Sequence, residues 1–175
     1  MTLPGIHYSL NHHHKEGRIM ETRTDQTKGS DIVLECLHAL EEKDFDKAAR
    51  FLTSDFTFTG VTPRAVNAKE FIEVHRALCQ AIPDWRFNYN TVKEDDSEVT
   101  GKVHITGTHT RDLTLPMIPN LGTVHATGKK ISSPEEKVHI YLKGNKISRF
   151  NVESVPNGGI MGILQQIGVD VHELA

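Results

Sequence analysis

The clearest alternation of apolar and polar positions lies between Val99 and Thr110. Because successive side chains of a strand point to opposite faces, a strand here places four residues on one apolar face: Val99, Val103, Ile105 and His109. This face ends in an imidazole, the one common side chain whose charge changes near neutral pH. The pattern therefore predicts a buried strand face that ends at a polar group looking into a cavity.

Four other stretches are predicted to be helical: 31–42, 46–52, 68–82 and 160–167. Ser30 and Asn67 are suitable caps for the first and third helices, and Pro83 ends the third. His75 lies on the apolar stripe of the third helix, between Val74 and Leu78. This position predicts a packed histidine that is bonded through one ring nitrogen.

Strands are predicted over five stretches: 55–61, 85–94, 99–110, 129–142 and 146–155. Lys143-Gly-Asn145 has the composition of a hairpin turn, and a long connection runs from Leu113 to Gly122. Helices are grouped early and strands late. The expected fold is therefore α+β: a curved antiparallel sheet with helices on one face, forming a cone-shaped cavity as in a cystatin-like α+β roll.

Composition narrows the class of protein. The 175 residues are 37% hydrophobic and 25% charged, which is ordinary for a soluble globular chain. We expect a tail over residues 1–30 and a single domain over 31–175. The net charge of −3 argues against a nucleic-acid partner. No apolar run reaches the roughly 20 residues that span a bilayer, and no secretory signal is evident, so we expect no membrane partner and a cytoplasmic location. Cys36 and Cys79 are expected to be reduced thiols packed in helices.

Three local sequences carry a family resemblance: residues 81–87 (AIPDWRF), Gly107-Thr-His-Thr with the later Ala126-Thr-Gly-Lys, and residues 162–168 (GILQQIG). In their order and spacing they resemble the SnoaL-like polyketide cyclases, of the nuclear-transport-factor-two-like superfamily. The resemblance implies a cone-shaped α+β fold, a homodimer formed through the open sheet face, and ring closure by aldol chemistry without metal or organic cofactor. It also implies a histidine–aspartate acid–base pair, and His109 matches the family's Gly-Thr-His position.

One departure from that family pattern concerns residues 151–159. Similar proteins commonly carry an aspartate there, and this chain has none. Glu153 is the nearby carboxylate, and Asn157 is the nearest amide. The partner carboxylate of His109 would then be Glu136 or Glu153.

The candidate catalytic residues are His109, Glu136 and Glu153. His109 would be the acid–base group or the donor to an oxyanion, with the alternative of a strand-end histidine bonded to backbone or solvent. Glu136 shares strand parity with Val138 and Ile140 and so points inward, unless the run Glu135-Glu136-Lys137 is a solvated face near a bulge. Glu153 could instead pair with Arg149 on a sheet surface.

The candidate substrate-pocket residues are Phe58, Trp85, Phe87 and Asn157. An aromatic stripe such as Trp85, Phe87 and Tyr89 also suits simple core packing. None of the 11 histidines has a recognised metal-ligand spacing, so we expect no metal and no cofactor.

Two functions follow from these residues. One is a cofactor-free cyclase, isomerase or hydrolase acting on a small, apolar or aromatic carbonyl compound. The other is a non-catalytic ligand-binding or interaction module of the same fold. In the expected homodimer, Val92, Val138 and Phe150 would cover the partner.

Overall fold

The structure is a computed structural model that describes residues 27–174. The helices are α1 (Gly29–Glu41), α2 (Phe45–Arg50), α3 (Ala68–Ala81) and α4 (Gly159–Gln166). The strands are β1 (Leu52–Thr59), β2 (Asn90–Glu94), β3 (Glu98–Val103), β4 (Thr106–Thr108), β5 (Leu113–Thr114), β6 (Thr123–Val124), β7 (Lys130–Ser132), β8 (Glu136–Lys143) and β9 (Lys146–Val152). A 3-10 turn at Val171–Leu174 follows α4. No helix in this described part of the chain is long and apolar enough to cross a membrane.

The main sheet has five strands in the order β1-β9-β8-β3-β2. Three of its pairings are antiparallel, as predicted, but β1 and β9 pair in parallel, with Phe58 beside Phe150. Register shifts interrupt β1, β2 and β8, and such bulges bend strands. The result is the expected α+β arrangement, an open curved sheet with helices on one side.

The core lies between α1, α2 and α3 and the covered face of the sheet. Val138 is fully buried on β8, and Phe150 is 5% exposed on β9. Our expectation that these two side chains cover a partner subunit is therefore wrong, because their strand parity turns them toward the helices. Val92 is 57% exposed. The homodimer itself stays a prediction.

Of the two predicted N-cap residues, one is confirmed and one is wrong. Asn67 caps α3 in a reciprocal capping box: its side chain accepts the Glu70 N–H, and the Glu70 carboxylate accepts the Asn67 N–H. Ser30, the predicted cap of the first helix, lies inside α1 instead, where its hydroxyl donates to Glu94 on β2. Lys28 is the N-cap residue of α1, so the helix begins before the predicted tail ends. Residues 1–26, most of that tail, lie outside the described residues.

The predicted strand over 99–110 is two strands in two sheets. The chain leaves the main sheet after Val103, and the Ile105 N–H donates to the Ser133 hydroxyl. It then pairs with β7 as β4. The predicted apolar face is nevertheless buried throughout, with His109 fully buried at its end. Alternation thus identified burial correctly but could not show the change of sheet.

The predicted strand over 85–94 is regular only in β2. Asn88 has a left-handed backbone, with a φ of 45°. The Phe87 N–H donates to the Glu41 carboxylate, not to a neighbouring strand. Farther along, the long connection from Leu113 folds as the β5–β6 hairpin, whose buried Leu115 and Ile118 join the core. Cys36 and Cys79 are free, buried thiols on α1 and α3, as predicted.

Candidate functional site

A cavity of about 60 Å³ lies between the helices and the covered face of the sheet. Its wall takes residues from α1, α3, β1, β3, β8, β9 and α4 and from the segment before β2. Most of these residues are apolar. The aromatic ones are Phe58, Phe71, Trp85, Phe87 and Phe150. Two other side chains of the wall are polar: those of Glu136 and His75.

Glu136 is a buried carboxyl group without a cationic partner in the described cavity wall. It is 3% exposed, and it begins β8 opposite Val103, with its side chain on the same inward face as Val138. Its Oε2 accepts a hydrogen bond of 3.1 Å from the Gly159 N–H. Burial raises the pKa of the Glu136 carboxyl, and the Gly159 hydrogen bond opposes part of that rise.

The Gly159 N–H is available because α4 begins there. The first N–H groups of a helix have no partner within the helix. Gly158, the N-cap residue, has no side chain that could supply one. The Glu136 carboxylate therefore takes the place of a capping side chain, and negative charge is favoured at a helix N-terminus.

His75 contributes a neutral ring to the same wall. Its Nδ1 lies 2.8 Å from the Phe71 carbonyl oxygen, one turn earlier in α3. A carbonyl only accepts hydrogen bonds, so Nδ1 carries the proton and Nε2 carries the lone pair. Burial lowers the pKa of His75 to about 4. Within residues 27–174, Nε2 has no hydrogen-bond partner, so it is free to accept one from a ligand.

Trp85 follows the Pro83 turn that ends α3. Its backbone N–H donates to the Ile82 carbonyl, which fixes the turn after α3. The side chain is 2% exposed, and in the described part of the chain its Nε1–H is buried without an acceptor. Buried polar groups are rarely left unpaired, so this N–H, which a water-sized molecule does not reach, is an exception within the packed core.

A surface depression of about 290 Å³ adjoins the cavity. The two share Val61, Gly159 and Ile160 in their walls. Gly159 has a φ of 65°, and a Cβ built on it would lie 2.9 Å from the Val61 side chain. The glycine thus permits a close approach of the loop after β1 to the start of α4, and these residues form a wall shared by the depression and the cavity.

Comparison of the chain with models of known protein families gives a match. The family described as SnoaL-like domain matches residues 33–150, more than half of the chain. The chain belongs to the SnoaL-like domain family. No functionally curated protein matches it.

Solved structures show that the SnoaL-like domain of this chain has the expected fold. A SnoaL-like polyketide cyclase from Agrobacterium tumefaciens is 18% identical, with a TM-score of 0.57 over 81% of this chain and 99% of that one. TsrD from Streptomyces laurentii is 15% identical, with a TM-score of 0.56 over 79% and 93% of the two chains. A cystatin-fold protein from Novosphingobium aromaticivorans is 13% identical, with a TM-score of 0.53 over 73% and 99%. At these identities the likeness concerns the fold alone.

In this SnoaL-like domain only part of the predicted site comes together. The structure places Phe58, Trp85 and Phe87 in the cavity wall beside Glu136. The other predicted site residues, His109, Glu153 and Asn157, do not line it.

His109 is buried beyond the end of β4 and packs outside the cavity wall. The Thr127 N–H donates to its Nδ1 at 3.3 Å, so the proton of the neutral ring lies on Nε2. Its backbone N–H donates to the Lys129 carbonyl, and its carbonyl accepts the Gly128 N–H. Burial lowers the pKa of the ring. The change of sheet after Val103 carries His109 away from the cavity. Its contacts instead join the end of β4 to the segment before β7.

Glu153 lies on the sheet face opposite the cavity. Val152 faces the core, and alternation turns the next side chain outward. There Glu153 Oε1 lies 2.8 Å from Nε2 of His139, whose Nδ1 is 3.1 Å from Glu98. Asn157 is exposed in the turn before α4, with a φ of 63°. Catalytic or binding roles for these residues stay predictions, and the cavity geometry gives them no part.

Two polar groups at the cavity, the His75 ring and the Gly159 N–H, were not predicted to belong to the site. His75 is a packed histidine, as predicted, but the same face of α3 also lines the cavity. The sequence signal that could have identified His75 as a cavity residue was its position as a polar residue within the apolar stripe of α3. The Gly159 N–H could not be found from sequence, because its role depends on β8 lying beside the start of α4.

Proposed function

We propose that this chain is a cofactor-free acid–base enzyme in which Glu136 removes a proton from the carbon next to a carbonyl group of a small apolar compound. The observation that carries this proposal is the burial of the Glu136 carboxyl in an apolar wall without a cationic partner. An isolated buried carboxylate costs free energy of folding, so a packed apolar residue would serve the core better. A raised pKa, by contrast, makes a carboxylate a stronger base.

The reaction step follows from the position of the carboxylate. Its unprotonated oxygen takes the proton, the C–H electron pair forms a carbon–carbon double bond, and the carbonyl π electrons move to oxygen to give an enolate. The Gly159 N–H holds the other carboxylate oxygen in place. Return of the proton to the same carbon gives exchange, and return to another carbon gives isomerisation. Attack of the enolate on a second carbonyl of the same molecule gives ring closure.

The cavity size limits which part of a substrate reacts there. A dry cavity of about 150 Å³ accommodates benzene, and this cavity is about 60 Å³. We infer that only a small reacting end of the substrate occupies the cavity, and that the adjoining depression, which shares Val61 and Gly159 in its wall, accommodates the rest. This arrangement suits a compound with one small apolar carbonyl-bearing end.

Deuterium exchange tests the proposal without knowledge of the natural substrate. Acetone and 2-butanone in D₂O would be followed by ¹H NMR with the wild-type chain, with Glu136→Gln, and with the matched control Glu135→Gln, whose side chain is 61% exposed. We expect the wild-type chain and the control to accelerate loss of the protons next to the carbonyl. Loss of a general base should reduce that acceleration by on the order of 10²–10⁴-fold in Glu136→Gln.

The second candidate function is a non-catalytic ligand-binding module. It is favoured by the low pKa of His75, which leaves this ring uncharged and unable to act as a general acid near neutral pH. Ketones that bind without any exchange above the buffer rate would support this candidate and refute the enzyme proposal. Equal exchange by wild type and Glu136→Gln would also refute the assigned base.

A further inference from the structure

One oxygen of the Glu136 carboxylate is left without a partner. Oε2 accepts the hydrogen bond from the Gly159 N–H. Within residues 27–174, Oε1 accepts no hydrogen bond, although a water-sized molecule reaches it. Glu136 lines the cavity and does not line the outer depression, so this open oxygen borders the cavity. A small ligand in the cavity can therefore bind it directly.

The charge of this carboxylate is not balanced by the part of the chain that the structure describes. No lysine or arginine is among the described residues of the cavity wall. The pKa of Glu136 is shifted by burial and by the Gly159 hydrogen bond, and no charged side chain contributes to the shift. Burial lowers the pKa of His75 to about 4, so this ring adds no positive charge near neutral pH. The negative charge is left for a ligand to balance.

The polar side-chain atoms that a ligand can reach in the described wall are acceptors. An ionised carboxylate only accepts hydrogen bonds. The His75 Nε2 also accepts, because the Phe71 carbonyl holds the ring proton on Nδ1. The Trp85 N–H is a donor, but it is closed off from a water-sized molecule. The wall therefore favours a ligand group that donates hydrogen bonds and carries positive charge.

An organic cation suits this cavity better than a metal ion does. Divalent metal ions take several oxygen or nitrogen ligands, and the described residues contain no group of three side chains that could hold one. An alkylammonium needs one carboxylate, and its carbon atoms gain from burial against an apolar wall. The Glu136 carboxylate has already lost its hydration on folding, so the ammonium alone is dehydrated on binding.

We propose that the cavity binds the ammonium group of a small alkylamine, with Glu136 as its counter-ion and the apolar wall around its carbon atoms. A dry cavity of about 150 Å³ accommodates benzene, so a cavity of about 60 Å³ limits the buried part to a few heavy atoms. This ligand class goes beyond the proposed function, which concerns carbonyl compounds. A bound ammonium occupies the carboxylate that would remove the proton, so alkylamines should inhibit that reaction.

Three probes with the same number of heavy atoms separate charge from size: ethylammonium, ethanol and formate. Each is titrated into the ¹⁵N-labelled chain at pH 7.5 and constant ionic strength in NaCl, where an alkylammonium stays protonated as a lysine side chain does. The reporter is the assigned backbone amide of Gly159, which is bonded to the carboxylate. We expect ethylammonium to shift this resonance saturably and to bind at least about tenfold more tightly than ethanol, because hydrogen bonds between charged groups are the stronger ones. Formate should leave the resonance in place.

A variant isolates the counter-ion. Glu136→Gln keeps the shape of the side chain and removes its charge, so it should weaken ethylammonium binding by about tenfold and leave ethanol binding unchanged. Glu135→Gln is the matched control, since its side chain is 61% exposed, and it should retain the wild-type preference. If Glu136→Gln does not fold, the comparison of the three probes on the wild-type chain still decides the question.

Ethanol or formate binding as tightly as ethylammonium would overturn the proposal. A Gly159 resonance that ethylammonium does not move would overturn it as well, and so would an unchanged ethylammonium affinity in Glu136→Gln. These measurements involve no ketone and no proton transfer. A chain that binds ethylammonium but exchanges no ketone protons would support the ammonium site and refute the Glu136 reaction, whereas exchange without ethylammonium binding would do the reverse.

Discussion

Glu136 and Gly159 are 23 residues apart in sequence and joined by a hydrogen bond of 3.1 Å between a carboxylate oxygen and a backbone N–H. This bond connects the first residue of β8 to the first residue of α4. It also places a buried carboxyl group in the wall of the apolar cavity, beside a residue that the cavity shares with the outer depression. The same residue thus supports the start of a helix and supplies the base of the proposed reaction.

The stability of the chain should carry the pH signature of Glu136. Burial raises the pKa of this carboxyl above its ordinary value of 4.5, so the folded state holds the proton after the unfolded state has lost it. The contribution of Glu136 to stability is therefore full below pH 4.5 and falls as the pH rises through the folded-state pKa. Glu136→Gln removes this dependence, so the stability of the variant relative to wild type should increase from pH 4 to pH 8.

Urea unfolding at a series of pH values measures that difference. Glu135→Gln is the matched control, because it makes the same change at the adjacent, exposed position. A gap between Glu136→Gln and wild type that stays constant across this range would contradict a perturbed carboxyl at position 136.

His139 predicts a separate pH effect on the opposite sheet face. Hydrogen bonds that the ring donates to the Glu153 carboxylate, and then to that of Glu98, raise its pKa above the ordinary value of 6.5. The stabilisation is therefore complete below pH 6.5 and is lost as the pH rises through the folded-state pKa. His139→Gln should cost about 1 kcal/mol of unfolding free energy at pH 6, for a partly exposed ion pair, and less at pH 9.

Thermal unfolding at both pH values checks this second effect, and 1 M NaCl should reduce it through screening. His104→Gln offers a comparison at a half-buried histidine between β3 and β4. A cost for His139→Gln that grows with pH would refute a charged ring between the two glutamates.

Gly162 in α4 should tolerate no side chain. Helix propensity alone predicts that alanine at a helical glycine adds about 1 kcal/mol of stability. A Cβ at Gly162, however, would overlap the carbonyl oxygen of Asn157, which is backbone and cannot rotate away. Gly162→Ala should therefore destabilise the chain by about 1–3 kcal/mol.

Chemical denaturation of Gly162→Ala tests which effect dominates. Gln165→Ala is the control on the same helix, because its side chain is exposed and the change should stay within about 0.5 kcal/mol. A stabilised Gly162→Ala would mean that the turn before α4 moves freely to admit the methyl group.

Local signals predicted much of the fold. Asn67, a residue that favours helix N-caps, precedes an apolar stripe, and this pattern marked the start of α3. Gly144 adopts a left-handed φ of 60° in the predicted hairpin between β8 and β9. Each of these features depends on a few consecutive residues, so propensity and pattern suffice to find it.

The candidate site was predicted only in part. Strand parity turned Glu136 inward correctly, because β8 pairs with β3 in unbroken register from Glu136 to Tyr141. The same reasoning could not follow His109, since the chain changes sheets after Val103. Glu153 fell on the outer face, because parity alone does not say which face of β9 the helices cover.

By itself, the sequence determined the helices, most strands, the burial of the 99–109 face and the α+β class, because these depend on short-range periodicity and capping. Only the tertiary structure decided which buried groups share a cavity. The wall brings together Glu136 on β8, His75 on α3, Trp85 before β2 and Gly159 on α4. These four residues come from distant parts of the chain, and their meeting depends on strand order and helix packing rather than on any local pattern.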